Sequence, residues 1–321
     1  MRKISKISLG LVALSVLLFV GIYFLFPETL LKLVVKAGRH SAGLVKKEIQ
    51  VDDHKIVYLE GGKGQTVLLL HGFGANKDSW TRFAKYLTGD YYVLIPDIPG
   101  FGESSQIQKA IYDAESELKR IDRFTEVMKL ERFHLAGNSM GGMLAVMYGA
   151  TYPQKVSTLA LLAPAGVGSP NPSEVVLLIK NGKNPLLIAT ADDFDTLLTL
   201  CYVKTPSIPS QLKKVLAAEA VAQTEFNKKI WGDMKWNPTN ETSSSIENFL
   251  VPYLPQIQAP VLIIWGDSDK ILDVGGVSVL EKNLKNYQTI IMKDTGHIHM
   301  LEKPQDTASY YMSYLKGKNK T

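Results

Sequence analysis

The amino-acid sequence predicts an α/β fold, with a mostly parallel central sheet and helices on both of its faces. Short apolar segments of strand length alternate along the chain with segments in which apolar residues recur at helical spacing, the pattern expected when helices connect parallel strands. One strand leads through a glycine-flanked serine, Ser139, directly into a helical segment, which predicts a sharp strand-to-helix turn. A long insertion punctuated by prolines and without a convincing strand predicts a helical cap.

Seven apolar segments are predicted strands, and two early strands are able to form an antiparallel hairpin at one edge of the sheet. The seven segments cover residues 55–59, 66–70, 92–95, 133–136, 158–162, 261–265 and 289–292. The pattern breaks between residues 163 and 260, where prolines separate short helical stretches. We therefore predict a core made of residues 48–165 and 254–321, with residues 166–253 inserted as the cap.

The N-terminal segment differs from the rest of the chain. Residues 7–26 hold no charged side chain and as a helix would be about 30 Å long, enough to cross the hydrocarbon core of a bilayer. A cleaved signal peptide is the alternative, but its apolar region is usually about 7–15 residues long and ends in small residues. We predict that residues 1–27 form an uncleaved single-pass signal-anchor that leaves the rest of the chain outside the cytoplasm. Residues 28–47 are a predicted amphipathic linker, lying either on the lipid headgroups or packed on the domain as a plain helix.

Composition excludes several other classes of protein. The chain has 321 residues, which suits one large domain with appendages, and 45% of them are hydrophobic, enough for a sizeable core. The formal net charge is +5, and its basic residues are dispersed beyond the N-terminus without an aromatic-interleaved stripe, so nucleic-acid binding is not expected. The single cysteine, Cys201, excludes an internal disulfide and is expected to be a small buried apolar residue. No obligate protein partner is inferred.

Ser139 is the candidate nucleophile. It lies in the pattern G-x-S-x-G formed by residues 137–141, between a strand-like and a helix-like segment. Gly137 and Gly141 leave room for the close approach of strand and helix, and the sharp turn holds the serine in a strained conformation that exposes its hydroxyl group. Because this pattern also arises by chance in loops, the assignment depends on whether the chain supplies a base and an acid.

Both partners follow the serine in the order that this type of turn requires. A serine hydroxyl needs a histidine base, which in turn is oriented by a carboxylate. Asp269 follows the predicted strand at 261–265, and His297 follows the strand at 289–292, so we predict that they are the acid and the base. A solvated turn carboxylate and a surface-loop histidine are the alternatives for each residue alone.

A fourth element completes the predicted site. The strand at 66–70 ends in His71, Gly72, Phe73 and Gly74, where glycines allow a backbone N–H group to face inward. We predict that the backbone N–H groups of Phe73 and Met140 form an oxyanion hole. His71 is expected to hold this loop in place rather than to act as a base.

These motifs resemble those of the α/β-hydrolase superfamily, over roughly residues 48–315. Their order along the chain is that of the family: His71, Gly72, Phe73 and Gly74 with Trp80; Pro96, Asp97, Pro99, Gly100, Phe101, Gly102 and Ser104; the turn at Ser139; then Trp265, Gly266 and Asp269, and Gly296 with His297. The runs at 72–78, 137–142 and 264–273 are most similar to those of cold-adapted bacterial lipases and animal membrane-bound monoacylglycerol lipases. The resemblance implies the α/β-hydrolase fold and places the acid at the third residue after Gly266, which favours Asp269 over Asp267 and Asp273.

The resemblance implies a serine carboxylic-ester hydrolase, a lipase or monoacylglycerol lipase that cleaves acylglycerols or other lipid-like esters through an acyl-enzyme on Ser139. Apolar residues of the cap are expected to line part of an acyl-chain site. No cofactor or metal is expected, since the sequence has no H-E-x-x-H motif or carboxylate cluster. Two alternatives stay open: a carbon–carbon bond hydrolase of the same fold, and a catalytically inactive membrane-tethered binding protein. Related hydrolases with an aspartate nucleophile, the haloalkane dehalogenases and epoxide hydrolases, are disfavoured by Ser139 itself.

Overall fold

A single sheet organises the part of the chain that the computed structural model describes, residues 21–235 and 248–318. Its eight strands are β1 Leu44–Val51, β2 His54–Gly61, β3 Thr66–Leu70, β4 Tyr92–Pro96, β5 Phe133–Ser139, β6 Val156–Pro164, β7 Val261–Gly266 and β8 Tyr287–Met292. They lie in the order β1-β2-β4-β3-β5-β6-β7-β8. β2 pairs antiparallel with β1 and β4, and the other neighbours are parallel, which confirms the predicted mostly parallel sheet.

β1 is the strand that the sequence analysis missed. It pairs with β2 along its whole length, and the two strands turn at Asp52, whose φ is +50°. The six consecutive residues in the middle of β1 are exposed or half-buried, because an edge strand has only one neighbour and little cover. The apolar alternation used to find strands is therefore absent, and β1 begins inside the segment that the sequence assigned to the linker.

Helices cover both faces of the sheet. Alternate residues of a strand point to opposite faces: Leu68 and Leu70 pack in one buried cluster and Val67 and Leu69 in the other. The described helices are α1 Pro27–Ser41, α2 Thr81–Ala84, α3 Ala114–Val127, α4 Met140–Thr151, α5 Glu174–Lys180, α6 Ala191–Cys201, α7 Ser210–Ala222, α8 Thr224–Asp233, α9 Gly276–Asn283, α10 His299–Glu302 and α11 Pro304–Lys318. α3, α4 and α9 supply the first cluster, and α2 and α11 supply the second.

The insertion between β6 and β7 is helical in its described part. It contains α5 to α8, and no strand lies among its described residues. Ile188, Leu200 and Phe226 are buried, while Leu177 remains exposed. The exact limits of the cap, residues 166–253, stay a prediction.

The N-terminal part of the described chain is also helical. Residues 21–25 and α1 lie here, whereas most of the predicted span at 7–26 lies outside the described residues. Within residues 21–235 and 248–318, no helix reaches the length and apolar character that a membrane crossing requires. α1 packs on the domain through buried Leu31 and a bidentate ion pair of Arg39 with Asp78, with two N–O distances of 2.6 Å. Its other side leaves Leu33 and Val34 exposed.

Candidate active site

Ser139 occupies the strained turn that the sequence predicts. It is the last residue of β5 and directly precedes α4, with φ +55° and ψ −120°. A non-glycine residue in such a conformation costs on the order of 1–3 kcal/mol, which the surrounding structure must offset. Added Cβ atoms at Gly137 and Gly141 would overlap the carbonyl oxygens of Gly141 and Leu70, respectively. The glycines are therefore what allows β5, α4 and β3 to meet around the serine.

Asp269 and His297 are hydrogen-bonded to each other. His297 Nδ1 donates to Asp269 Oδ2 over 2.7 Å, and both side chains are buried. The other carboxylate oxygen, Oδ1, accepts the backbone N–H groups of Ile271 and Leu272 at 2.8 and 2.9 Å. These bonds fix the direction of Oδ2 and leave His297 Nε2 as the imidazole nitrogen that can accept a proton.

His297 Nε2 is buried and has no hydrogen-bond partner among the described residues. The hydroxyl group of Ser139 therefore does not contact it by a hydrogen bond in this state. Such bonds are often long or absent without substrate and form in the reactive complex. An unpartnered buried nitrogen next to the turn is suited to take up the serine proton.

The two other carboxylates that the sequence analysis considered have other partners. Asp267 is exposed and accepts a hydrogen bond from Ser268 at 2.8 Å. Asp273 accepts from the hydroxyl group of Ser169 and from the N–H group of Gly275. In the described structure only Asp269 of these three carboxylates is bonded to His297.

Asn138 is a supporting residue to which the sequence analysis assigned no role. Its buried Nδ2 donates to the carbonyl oxygens of Leu162 and His297, at 3.0 and 3.1 Å. It thus joins the serine turn to the histidine loop and to the end of β6. The only sequence signal was its position next to Ser139, because its partners are backbone atoms far along the chain.

The loop after β3 carries Phe73 and is held at both ends. His71 Nδ1 donates to the carbonyl oxygen of Gly72 at 2.8 Å, and His71 Nε2 accepts the N–H group of Ile98 at 3.0 Å. Burial lowers the pKa of His71, which favours the neutral form that this pair of bonds requires. At the other end, a buried ion pair joins Lys77 Nζ to Asp97 Oδ2 over 2.7 Å.

The structure brings the loop before Phe73 close to the serine turn and places Met140 at the start of a helix. Gly72, next to Phe73, comes so close that an added Cβ would lie 3.2 Å from Ser139 Cβ. Met140 is the first residue of α4, and the N–H groups of a first helical turn have no acceptor within their own helix. A helix N-terminus also favours negative charge. The arrangement is suited to bind a developing oxyanion at Ser139.

Buried groups next to the acid and base have shifted pKa values. His299 is fully buried, and burial lowers its pKa to about 3. Burial, with the nearby carboxylates of Asp269 and Glu302, raises the pKa of the Cys201 thiol to about 12. Among the described residues no group of three or more His, Cys, Asp or Glu side chains could hold a metal ion.

Comparisons with known proteins identify the family of the chain. The sequence profile of the family described as alpha/beta hydrolase fold matches residues 65–304. The chain is 34% identical to Lipase 1 of Psychrobacter immobilis, over 88% of this chain and 87% of the lipase. It is 29% identical to monoacylglycerol lipase ABHD6 of Homo sapiens, over 97% of this chain and 94% of that protein. The crystal structure of a membrane phospholipase A, described as a bacterial virulence factor, matches with a TM-score of 0.88 and 40% identity, covering 98% of this chain and 99% of the other.

Proposed function

The chain belongs to the α/β-hydrolase family, and from that premise we infer that it is a serine carboxylic-ester hydrolase acting on lipid-like esters. Relatives named lipase and monoacylglycerol lipase match nearly the whole chain, and a related structure is named a membrane phospholipase A. The observation that carries the inference is the hydrogen-bonded pair of His297 and Asp269 beside a serine with φ +55°. The predicted family membership is confirmed, and the site residues and substrate class below are proposals.

We propose the following sequence of steps. Ser139 Oγ attacks the ester carbonyl carbon while His297 Nε2 takes its proton, and Asp269 holds the imidazole in the required tautomer. The N–H groups of Phe73 and Met140 stabilise the tetrahedral oxyanion. When this collapses, the alcohol leaves with the proton from His297, and an acyl-enzyme remains on Ser139. Water, deprotonated by His297, then attacks the acyl carbon and releases the acid and the free serine.

The cap is proposed to cover this site, and contacts with three loops around the triad support that placement. At the start of α5, Ser173 Oγ donates to the carbonyl oxygen of Ile271 at 2.7 Å, in the loop that follows Asp269. At the end of α6, the carbonyl oxygen of Cys201 accepts the N–H group of His297 at 2.9 Å. In α8, the ring of Trp231 packs edge-on against Phe73, with 5.6 Å between ring centroids.

An apolar cluster between the cap and the acid loop supports a fatty acyl substrate. Val175, Leu200 and Ile271 form its buried centre, with partly buried leucines from α5 and α6 around them. A binding cleft for an acyl chain is mostly apolar with few polar groups. We propose that part of this cluster contacts the acyl chain.

We further propose that the protein is a single-pass membrane protein with its catalytic domain outside the cytoplasm. The uncharged residues 7–26 support the span, and Phe24, Leu25 and Phe26 at its end are exposed, as expected for side chains that meet lipid. Extraction of membranes with alkaline carbonate tests the anchor: the protein should stay with the membrane. Protease added to intact spheroplasts should remove the catalytic domain, and full protection would contradict the proposed sidedness.

Activity of Ser139→Ala is the direct test of the esterase assignment. Full-length protein in detergent should hydrolyse p-nitrophenyl esters, and Ser139→Ala should lose at least about 10³-fold in kcat, because the nucleophile is gone. Ser278→Ala, which removes an exposed hydroxyl group in α9, away from the proposed triad loops, is the matched control and should retain full activity. If Ser139→Ala keeps its activity, the assignment is wrong.

A panel of esters from acetyl to palmitoyl separates a lipase from a general esterase. The apolar cluster predicts higher kcat/KM for medium and long acyl chains than for acetyl. A sharp preference for acetyl esters would contradict the proposal that the substrates are lipid-like esters. A ring-fission product included in the same panel tests for carbon–carbon bond hydrolysis, and failure of a fluorophosphonate to label Ser139 would indicate an inactive binding protein.

A further inference from the structure

Glu302 lies at the junction of the cap and the histidine loop. It is the last residue of α10, the short helix that follows His297. Its Oε2 accepts the N–H group of Gly296 at 2.7 Å. Its Oε1 accepts the N–H groups of Val203 and Lys204, at 2.9 and 3.2 Å, in the segment that follows α6 of the cap. One half-buried carboxylate thus holds two segments that are far apart in the sequence.

A second bond ties the same two segments together. The N–H group of His297 donates to the carbonyl oxygen of Cys201 at 2.9 Å. The approach is so close that an added Cβ at Gly296 would overlap this carbonyl oxygen. The N–H groups of Gly296 and His297 are therefore both bonded at this junction. Gly296 donates to Glu302, which also holds residues 203 and 204, and His297 donates to Cys201.

We propose that Glu302 is a positioning residue that couples the cap to the catalytic base. Only a carboxylate offers two acceptor oxygens that can serve two segments at once, and its charge strengthens each bond. While the cap is seated, Gly296 and His297 are held where the imidazole meets Asp269. Displacement of residues 201–204 breaks these bonds and frees the loop that carries the base. This proposal rests on the proposed triad.

The acid is held in a different way, which makes the coupling specific to the base. Asp269 is bonded to its own loop through Ile271 and Leu272. That loop meets the cap at another point, where the N–H group of Val175 donates to the carbonyl oxygen of Lys270 at 3.1 Å. Loss of Glu302 should therefore disturb His297 while Asp269 stays in place.

Glu302→Gln in the full-length protein tests the proposal with little change in size. The amide keeps one acceptor oxygen but turns an NH₂ group toward backbone donors, so one of the two segments is released. We expect kcat for a soluble p-nitrophenyl ester to fall about tenfold, as loss of a charge-assisted bond to the base loop implies. KM should change little, because the substitution acts on the position of the base and not on substrate binding.

Glu60→Gln is the matched control. Glu60 is a half-buried carboxylate of β2 that accepts a hydrogen bond from the Tyr92 hydroxyl group at 2.7 Å, far from the histidine loop along the sheet. This substitution should leave kcat and KM as in the wild type. If Glu302→Gln is folded and its kcat matches that of Glu60→Gln, or if only KM changes, the proposal is overturned.

Amide hydrogen exchange provides a readout that does not depend on catalysis. In Glu302→Gln, peptides covering residues 201–204 and 294–298 should both exchange faster than in the wild type, while the peptide covering the Asp269 loop should be unchanged. Unchanged protection of both segments would overturn the proposed coupling through Glu302. If the wild type hydrolyses no ester, the proposed function fails, whereas the exchange experiment still decides whether Glu302 couples the two segments.

Discussion

Asp269 divides its two oxygens between two tasks. One oxygen is held by two backbone N–H groups of its own loop, and the other accepts His297 Nδ1 at 2.7 Å. Because the first pair of bonds sets the rotation of the carboxylate, the second bond sets the plane and tautomer of the imidazole. This arrangement requires that both side-chain oxygens of residue 269 accept hydrogen bonds.

Asp269→Asn should therefore inactivate the enzyme without unfolding it. An asparagine can satisfy its own loop with its oxygen only by turning its NH₂ group toward His297 Nδ1, which forces the tautomer that carries hydrogen on Nε2 and cannot accept the serine proton. We expect kcat to fall at least about 10³-fold on p-nitrophenyl esters. Asp267→Asn, two residues away and exposed, should retain activity within about twofold. Comparable losses in both variants would contradict the role of Asp269.

At the scale of single elements, the serine turn depends on close packing of α4 against the strands. α4 has no exposed face along most of its length: residues 140–150 are all buried. Its first turn meets β3 so closely that Gly141 faces the carbonyl oxygens of Leu70 and His71. Farther along the same helix, an added Cβ at Gly149 would lie at 3.5 Å from Leu159 Cδ2, an ordinary contact.

Alanine substitutions at these two glycines should therefore have opposite effects. Gly141→Ala forces α4 away from β3 and should lower the free energy of unfolding by more than about 3 kcal/mol, as overpacking against backbone does at its worst. Gly149→Ala adds a methyl group that makes only an ordinary contact and removes the helix penalty of glycine, so it should be neutral or stabilising by up to about 1 kcal/mol. Urea unfolding of the two variants measures both changes, and similar values would contradict the packing argument.

The sequence predicted individual elements best where both faces of the strand are buried. β3 was predicted with the limits that the structure has, because four of its five residues are buried and read as one apolar run. β1 was missed because its middle is exposed, and α1 was left between two alternatives. In the structure Leu31 and Arg39 attach it to the domain while Leu33 and Val34 are exposed, and contact with lipid headgroups stays a prediction.

At the scale of the whole molecule, the candidate triad could be proposed from the sequence because the carboxyl ends of parallel strands meet at one edge. The order of Ser139, Asp269 and His297 after three such strands was therefore informative. The links between the cap and these loops could not be predicted. They join main-chain groups such as the Cys201 carbonyl oxygen and the His297 N–H group, which carry no signal in the sequence.

The molecule as a whole should lose stability in mild acid because it buries neutral histidines. His134 in β5 hydrogen-bonds Thr158 Oγ1 and Gln65 Oε1, and burial lowers its pKa to about 4, whereas an unfolded histidine titrates near pH 6.5. The unfolded chain thus binds one more proton between these values, so stability is present above about pH 6.5 and is lost as the pH falls toward 4. His71 and His299, whose pKa values burial also lowers, act in the same direction.

His134→Gln should weaken this pH dependence. Glutamine has no proton to gain, so the fall in unfolding free energy between pH 7 and pH 5 should be smaller than in the wild type by about 2 kcal/mol, which is the linkage expected for one such histidine over that interval. Urea unfolding at the two pH values gives the difference. His40→Gln is the control, because the exposed imidazole of His40 is hydrated in the folded and the unfolded chain alike, and its loss should leave the dependence unchanged. An equal fall in His134→Gln and the wild type would contradict the expectation that burial keeps His134 neutral in the folded protein.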